Sequence, residues 1–293
     1  MGLSLSQQII VVALRQWEAP DEQIAWPEGK TCAVWVAPNL EYYEIDPPAN
    51  PQRKAWAKPH PDVVGYSYRD HSNRVSHWRM ADVMSRHGFP GSVSLSVALC
   101  QHHPEVVQDG VERGWEFFSH GIYNTRYSYG MDEAQERAII EDSIRTVKEA
   151  SGQRIRGYLA PALTHTPRTL DLLAEHGIEF CCDWVNDELP YRFNNGVIDL
   201  PLNTELSDRM IVETQQHSAE AWGEMMRDAC DWLAGEASAQ DSARLLPIQL
   251  TPYIMGQPYR IEALEALLAE FAARNDVWFA TGSAIVDSWA AQQ

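Results

Sequence analysis

The sequence predicts a single α/β domain closed, or nearly closed, into a barrel. Three observations carry this. Strand-like and helix-like segments alternate from about residue 31 to the C-terminus, and repeated β-then-α units imply parallel strands joined by right-handed crossovers. The 293 residues are long for one small domain and ordinary for one α/β barrel. No linker, fixed-period repeat or low-complexity block interrupts the alternation.

The elements follow in order. TCAVWVAP (31–38) is nearly all apolar and β-rich, as a strand covered on both faces should be. VSHWRMADVMSRHG (75–88) places Val75, Trp78 and Met84 on one helical face and stops at Gly88. GSVSLSVAL (91–99) is the next strand. After a short helix rich in Val and Glu, WEFFSH (115–120) is another. Asp132 opens a helix with Gln135 three residues on, a capping box. Ile140, Ile144 and Val147 give its stripe, and Gly152 closes it. RGYLAP is a strand. Thr166-Pro167 begins a helix that ends at Gly177. IEFCCDW (178–184) is a strand, and a helix from about Ala219 to Ala234 carries Trp222, Met225, Met226, Ala229 and Leu233. LLPIQLT (245–251), a helix through Ile261, Leu264, Leu268 and Phe271, and the strand VWFA (277–280) complete the chain. Residues 1–30 form an N-terminal extension, and the irregular stretch 42–74, rich in Pro, Tyr and Trp, is expected to pass over the barrel mouth.

Composition excludes several functions. With 41 acidic against 23 basic residues and a formal charge of −18, the chain repels nucleic acid and anionic membranes, so neither is an expected partner. Five cysteines without a C-x-x-C pair form neither a disulfide framework nor a zinc knuckle. Cys32, Cys181 and Cys182 lie in apolar runs, where a buried thiol is the default. The N-terminal apolar patch lacks a basic flank and a clear cleavage site, and it is too short to span a bilayer, so a cytoplasmic location is expected. Eleven Trp and eleven Tyr suit an aromatic-lined cavity for a small-molecule substrate.

In a parallel barrel the reactive groups gather at the C-terminal ends of the strands. The first strand ends in Asn39-Leu40-Glu41. WEFFS runs into His120, with Asn124 four residues on, and RGYLAP is followed by Thr164 and His165. IEFCCDW ends in Asp183, Trp184, Asn186 and Asp187, and LLPIQL leads to Thr251, Tyr253 and Gln257. Each has a structural alternative: His120 as a hydrogen-bonded strand-end side chain, Glu41 paired with an arginine, Asn186 and Asp187 capping the turn before Pro190. Their shared position at five strand ends makes the site.

These segments resemble a known family. The motifs APNLEYYE, NRVSHWRMADVMSRHG, GWEFFSHG, RGYLAPALTHTPRTLDLLAEHGIEFCCDWVNDELPY and IQLTPYIMGQPYRIEALEALL, in that order from about residue 30, are similar to the polysaccharide deacetylase (NodB-homology) superfamily. Within it they are nearest the branch of allantoinase-like peptidoglycan deacetylases, cofactor-independent allantoinases and cyclic imide hydrolases. The resemblance implies a distorted (β/α)7-type barrel, often a tetramer or dimer, that hydrolyses a non-peptide C–N bond. In metal-using members one Asp is the base, a second Asp and two His hold zinc, and a late His is the acid. Carried over, the base position falls on Asn39 and the metal-binding Asp on Glu41. Shifted by a residue, Glu41 takes the base position. The first His is His120, the second is Asn124, and the late His is Thr251.

Only one of the two zinc histidines is therefore present. A carboxamide is a weak zinc ligand, Thr251 cannot replace a histidine acid, and Asn39 cannot accept a proton. Three readings follow. In the first, the chain opens a small cyclic amide, imide or ureide, with Glu41 activating water or holding a weakly bound divalent metal such as zinc, and His120 stabilising the developing charge or shuttling a proton. Asn39, Asn124, Trp184, Asn186, Asp187, Thr251, Tyr253 and Gln257 then contact the substrate. In the second, it deacetylates an amino sugar or another N-acyl compound with zinc on Glu41 and His120, where His60, His71 or His165 could add a ligand. In the third, it keeps the fold and only binds or assembles.

Overall fold

A computed structural model describes residues 23–47 and 61–293. Nine strands form one curled sheet: β1 (Cys32–Leu40), β2 (Ser92–Leu95), β3 (Glu116–Ser119), β4 (Gly157–Tyr158), β5 (Phe180–Cys181), β6 (Tyr191–Arg192), β7 (Ile198–Asp199), β8 (Arg244–Leu250) and β9 (Val277–Phe279). Their order is β6-β7-β5-β4-β3-β2-β1-β8, with β9 paired to the lower end of β1 at Cys32–Val34. All pairings are parallel except the β6–β7 hairpin. Helices cover the outer face, which gives the distorted (β/α)7-type barrel that the motif order implies.

The two-residue period of a strand separates the layers. On β1, Val34, Val36 and Leu40 join the layer packed under the helices, while Ala33, Trp35 and Ala37 point into the barrel. There Trp35 meets Phe118, and Phe118 meets Phe180, with ring centroids 6.1 and 6.0 Å apart. These rings plug the lower interior. Gly157 belongs to the same packing: a Cβ there would collide with the Phe180 ring. The odd positions of β1 continue upward to Asn39 and then Glu41, so the first candidate polar residues rise from a dry base on the interior side.

Several elements differ from the sequence reading. The stretch 42–74 is not wholly irregular: Val63–His71 is α-helical, capped by Asp62 accepting from the Gly65 amide at 2.9 Å. It runs through a π-helical turn, Ser72–Ser76, into the helix His77–Arg86. Val75 is exposed while Met84 is buried: nine residues apart, the two fall on opposite faces even of a regular helix. The helix predicted from Thr166 begins at Thr169, and the helix from Ala219 runs on to Gln240. The β6–β7 hairpin and a last helix, Gly282–Ala290, add to the predicted set. The capping box of Asp132 and Gln135 forms, and Gly152 closes its helix in the left-handed region. Within the N-terminal extension, Ile24 and Trp26 pack into the inner core, and Trp26 donates its indole N–H to the Arg244 carbonyl. Residues 1–22 and 48–60, including His60 and most of the Pro-rich segment, lie outside the described residues. Among the described residues, no helix is long and apolar enough to cross a membrane.

Candidate active site

At the C-terminal ends of β1, β3 and β4 a cavity of about 260 Å³ opens. Asn39, Glu41, Tyr43, His120, Asn124, Arg209 and Gln249 supply its polar lining. Three of these owe their place to one strand and the turn beyond it: Asn39, Glu41 and Tyr43 recur at every second residue. Gly121, with φ +65°, turns the chain immediately after His120, and a Cβ there would strike Pro161. A side chain at that position would displace the imidazole.

His120 is oriented from behind. Its Nδ1 donates to the Leu159 carbonyl at 2.9 Å, so Nε2 carries the lone pair toward the cavity. Asn124 is oriented too. Its Oδ1 accepts the Ser96 hydroxyl at 2.5 Å, which turns its amide N–H groups toward His120 Nε2 (3.2 Å) and the Tyr43 hydroxyl (3.3 Å). Ser94 does the same for Asn39, donating to its Oδ1. Both serines lie on the β2 segment beside β1, and their hydroxyls leave each carboxamide presenting N–H donors.

Glu41 is 3% exposed and lies 3.8 Å from His120 Nε2. Arg209 Nη2 reaches both its carboxylate oxygens, at 2.8 and 2.7 Å, and also the Tyr253 hydroxyl at 2.7 Å. The Tyr43 hydroxyl donates to Glu41 at 2.9 Å. Burial alone would raise the Glu41 carboxyl, but the Arg209 charge, helped by His120, overrides it and holds the pKa down at about 2. Burial, then the Glu41 charge, pushes the Tyr43 phenol up to about 12, so it stays a proton donor. The Arg209 side chain is 39% exposed, while its Nε is enclosed and without a hydrogen bond.

The arginine that answers Glu41 sits 168 residues away, on the π-helical turn Arg209–Thr214. Sequence reasoning allowed an arginine partner for Glu41 but did not find this one. The only signal was a cation beside Asp208 in a polar segment after β7. Asp208 itself is fully buried and accepts the Thr251 amide at 2.6 Å.

Burial raises the Asp208 carboxyl to about 7, and this makes stability depend on pH. Below about pH 4 the group is protonated folded and unfolded alike. Between about pH 4 and 7 the unfolded chain sheds the proton while the fold retains it, so stability falls as pH rises and stays lower above about 7. Asp208→Asn removes that loss. Urea unfolding should show the variant gaining on the wild type, on the order of 4 kcal/mol, between about pH 4 and about pH 8. Parallel pH profiles would refute the assignment.

The other sequence-selected residues are distributed differently. Asn39, Glu41, His120 and Asn124 converge. Tyr253 lies beneath Arg209 as its acceptor, and Thr251 is buried against Asp208, so neither lines the cavity. Gln257 is occupied with the Tyr253 carbonyl at 3.1 Å and His71 at 3.4 Å. Trp184 packs edge-on against His165 and Phe193. Asn186, which accepts the Tyr191 hydroxyl, and Asp187 face a second cavity of about 550 Å³ with Leu206 and Trp232. The chain after β5 leaves the barrel axis to form the β6–β7 hairpin, and this carries 184–187 away from Glu41.

The residues present do not fit a zinc ion at Glu41 and His120. Both Glu41 oxygens already face a guanidinium, whose charge opposes a second cation there. Asn124 presents N–H donors rather than its oxygen, and no thiolate or second imidazole lines the cavity.

Residues 57–181 match the polysaccharide deacetylase family, a span that includes His120 and Asn124. The fold is similar to the crystal structure of a probable polysaccharide deacetylase from Pseudomonas aeruginosa. The two are 27% identical, with a TM-score of 0.80 and 91% of this chain and 93% of that one covered. It is also similar to PuuE allantoinase, 26% identical with a TM-score of 0.79, covering 91% and 92%. A Schizosaccharomyces pombe protein bearing a polysaccharide deacetylase name is 23% identical over 76% of this chain and 75% of its own.

Proposed function

We propose that this chain, similar to the polysaccharide deacetylase (NodB-homology) superfamily, is a C–N hydrolase that opens a small cyclic amide, imide or ureide without a metal at Glu41 and His120. The observation that carries this reading is the Arg209 guanidinium seated on Glu41. It supplies the positive charge at the site where a metal would otherwise act. Glu41, ionised down to about pH 2, is too weak a base to activate water itself. It fixes the cation and stabilises positive charge on His120, 3.8 Å away.

The chemistry follows from these positions. His120 Nε2 takes a proton from water as the water oxygen attacks the ring carbonyl. Arg209, with the Asn39 and Asn124 amides, stabilises the charge that develops on the carbonyl oxygen. The C–N bond breaks, and the imidazolium returns the proton to the departing nitrogen, leaving one ring-opened molecule with an amine, amide or ureido group at one end and, at the other, a carboxylic acid that loses its remaining proton to solvent. A cavity of about 260 Å³ lined by amide donors and acceptors suits a small polar ring. The neighbour named as an allantoinase supports the same class.

The family match and the Pseudomonas neighbour's name favour a second reading, hydrolysis of an N-acyl group on an amino sugar or similar compound. A substrate panel separates the two. Purified protein is incubated with hydantoins, allantoin, cyclic imides and N-acetylated sugars, and products are read by mass spectrometry. Ring opening, with a mass gain of one water, is expected. Release of acetate with every ring intact would replace this reading with the second, and binding without turnover would leave only a binding protein.

A further inference from the structure

We propose that His165, Cys181 and Asp183 form a second, buried site for a divalent metal of zinc type, on the helix-covered face of the sheet and separate from the Glu41–His120 cavity. The proposal does not depend on the hydrolytic reading. Cys181 and Asp183 alternate at the end of β5, so the strand period puts both on one face. The 3-10 turn Pro161–Leu163 beyond β4 brings His165 onto them. His165 Nε2 lies 2.7 Å from Asp183 Oδ2, Cys181 Sγ lies 3.3 Å from the same oxygen, and Sγ and Nε2 are 4.0 Å apart. Around a tetrahedral zinc such ligand atoms stand about 3.3–3.6 Å from one another. Sub-ångström adjustments would therefore seat the ion.

The donor set is imidazole, thiolate and carboxylate, the three ligand types zinc prefers. The three atoms are also an isolated group: among the described residues no other set of three or more such side chains is as close. A further buried carboxylate lies on the neighbouring strand, outside this close set. Asp199 on β7 stands in register with Cys181, is fully buried, and neither of its oxygens makes a hydrogen bond of ordinary geometry. The Trp184 amide gives it only a weak approach. A buried carboxylate left in this state is costly, and positive charge at the neighbouring His165–Cys181–Asp183 site would ease it.

The site also reaches the candidate active site through one peptide unit. Asp183 Oδ1 accepts the Ala160 amide at 2.7 Å, and the carbonyl of that same peptide, Leu159, accepts His120 Nδ1 at 2.9 Å. Fixing Asp183 on a metal would fix the His120 ring from behind, which makes Asp183 a positioning residue.

Cobalt(II) is the probe. Metal-depleted full-length protein titrated with cobalt should take up one tight equivalent with a thiolate-to-metal charge-transfer band, and zinc should displace it and raise Tm. The band should vanish in Cys181→Ser and weaken at least tenfold in affinity in His165→Gln, while Glu41→Gln keeps it. Should Cys181→Ser fail to fold, His165→Gln carries the test alone. A wild type without the band, a band that survives in the folded variant, or a band lost in Glu41→Gln would overturn the site.

Discussion

Replacing Arg209 by Met is expected to lower kcat/KM on the ring substrate by about 10²–10³-fold, as for loss of a charge-stabilising donor. It should also cost about 3 kcal/mol of stability in urea unfolding. The second figure is at the lower end for breaking a buried ion pair, because the Arg209 side chain is partly exposed. The cause is the same in both cases. Glu41 is 3% exposed, and burial would push its carboxyl up were Arg209 not holding it at about 2. Without the guanidinium the carboxylate either takes a proton or stays as an uncompensated charge. Arg209→Lys should recover part of each loss: all three contacts, to both Glu41 oxygens and Tyr253, come from the one nitrogen Nη2, but an ammonium is more strongly hydrated and sits on a more flexible stem. If Arg209→Met turned over normally, the cation would have no role in the chemistry. If instead added zinc restored the variant, the metal-dependent reading would stand in place of this one.

His120→Gln should reduce kcat by about 10²–10⁴-fold, the range for losing a proton-transfer group. KM should change little, because the cavity's carboxamides are untouched. Gln can keep the donor bond to Leu159 or present its oxygen to the cavity, but it cannot accept and return a proton at neutral pH. The measurement is steady-state kinetics beside thermal unfolding. A fall in kcat with an unchanged Tm supports the proton-transfer role. Unchanged kcat removes His120 from the mechanism.

The two losses differ in how far a sequence could have foreseen them. His120 was legible because an apolar strand ends on it and a glycine follows. Glu41 was legible because the apolar first strand ends in Asn39-Leu40-Glu41. Arg209 was not, since nothing in the segment after β7 marks it as the partner of a residue 168 positions earlier. Trp184, Asn186 and Asp187 failed for the complementary reason. They follow a strand end as Glu41 and His120 do, yet the chain there bends outward into a hairpin. Val75 failed because it stands nine residues, about two and a half helical turns, before Met84 and so faces the opposite way.

What the sequence by itself determined is local and periodic: the apolar run of β1, covered on both faces, the capping box at Asp132, and the histidine and carboxylate at two strand ends. Such features depend on neighbours within about one turn or two strand residues, so their information lies in contiguous letters. Only the tertiary structure decided which charge answers Glu41, which way Asn124 presents its amide, and that His165, Cys181 and Asp183 meet behind the active-site wall. Those outcomes require strands and loops far apart in the chain to close on one another. Electrostatic partnership depends on the resulting distances and burial, which sequence separation does not encode.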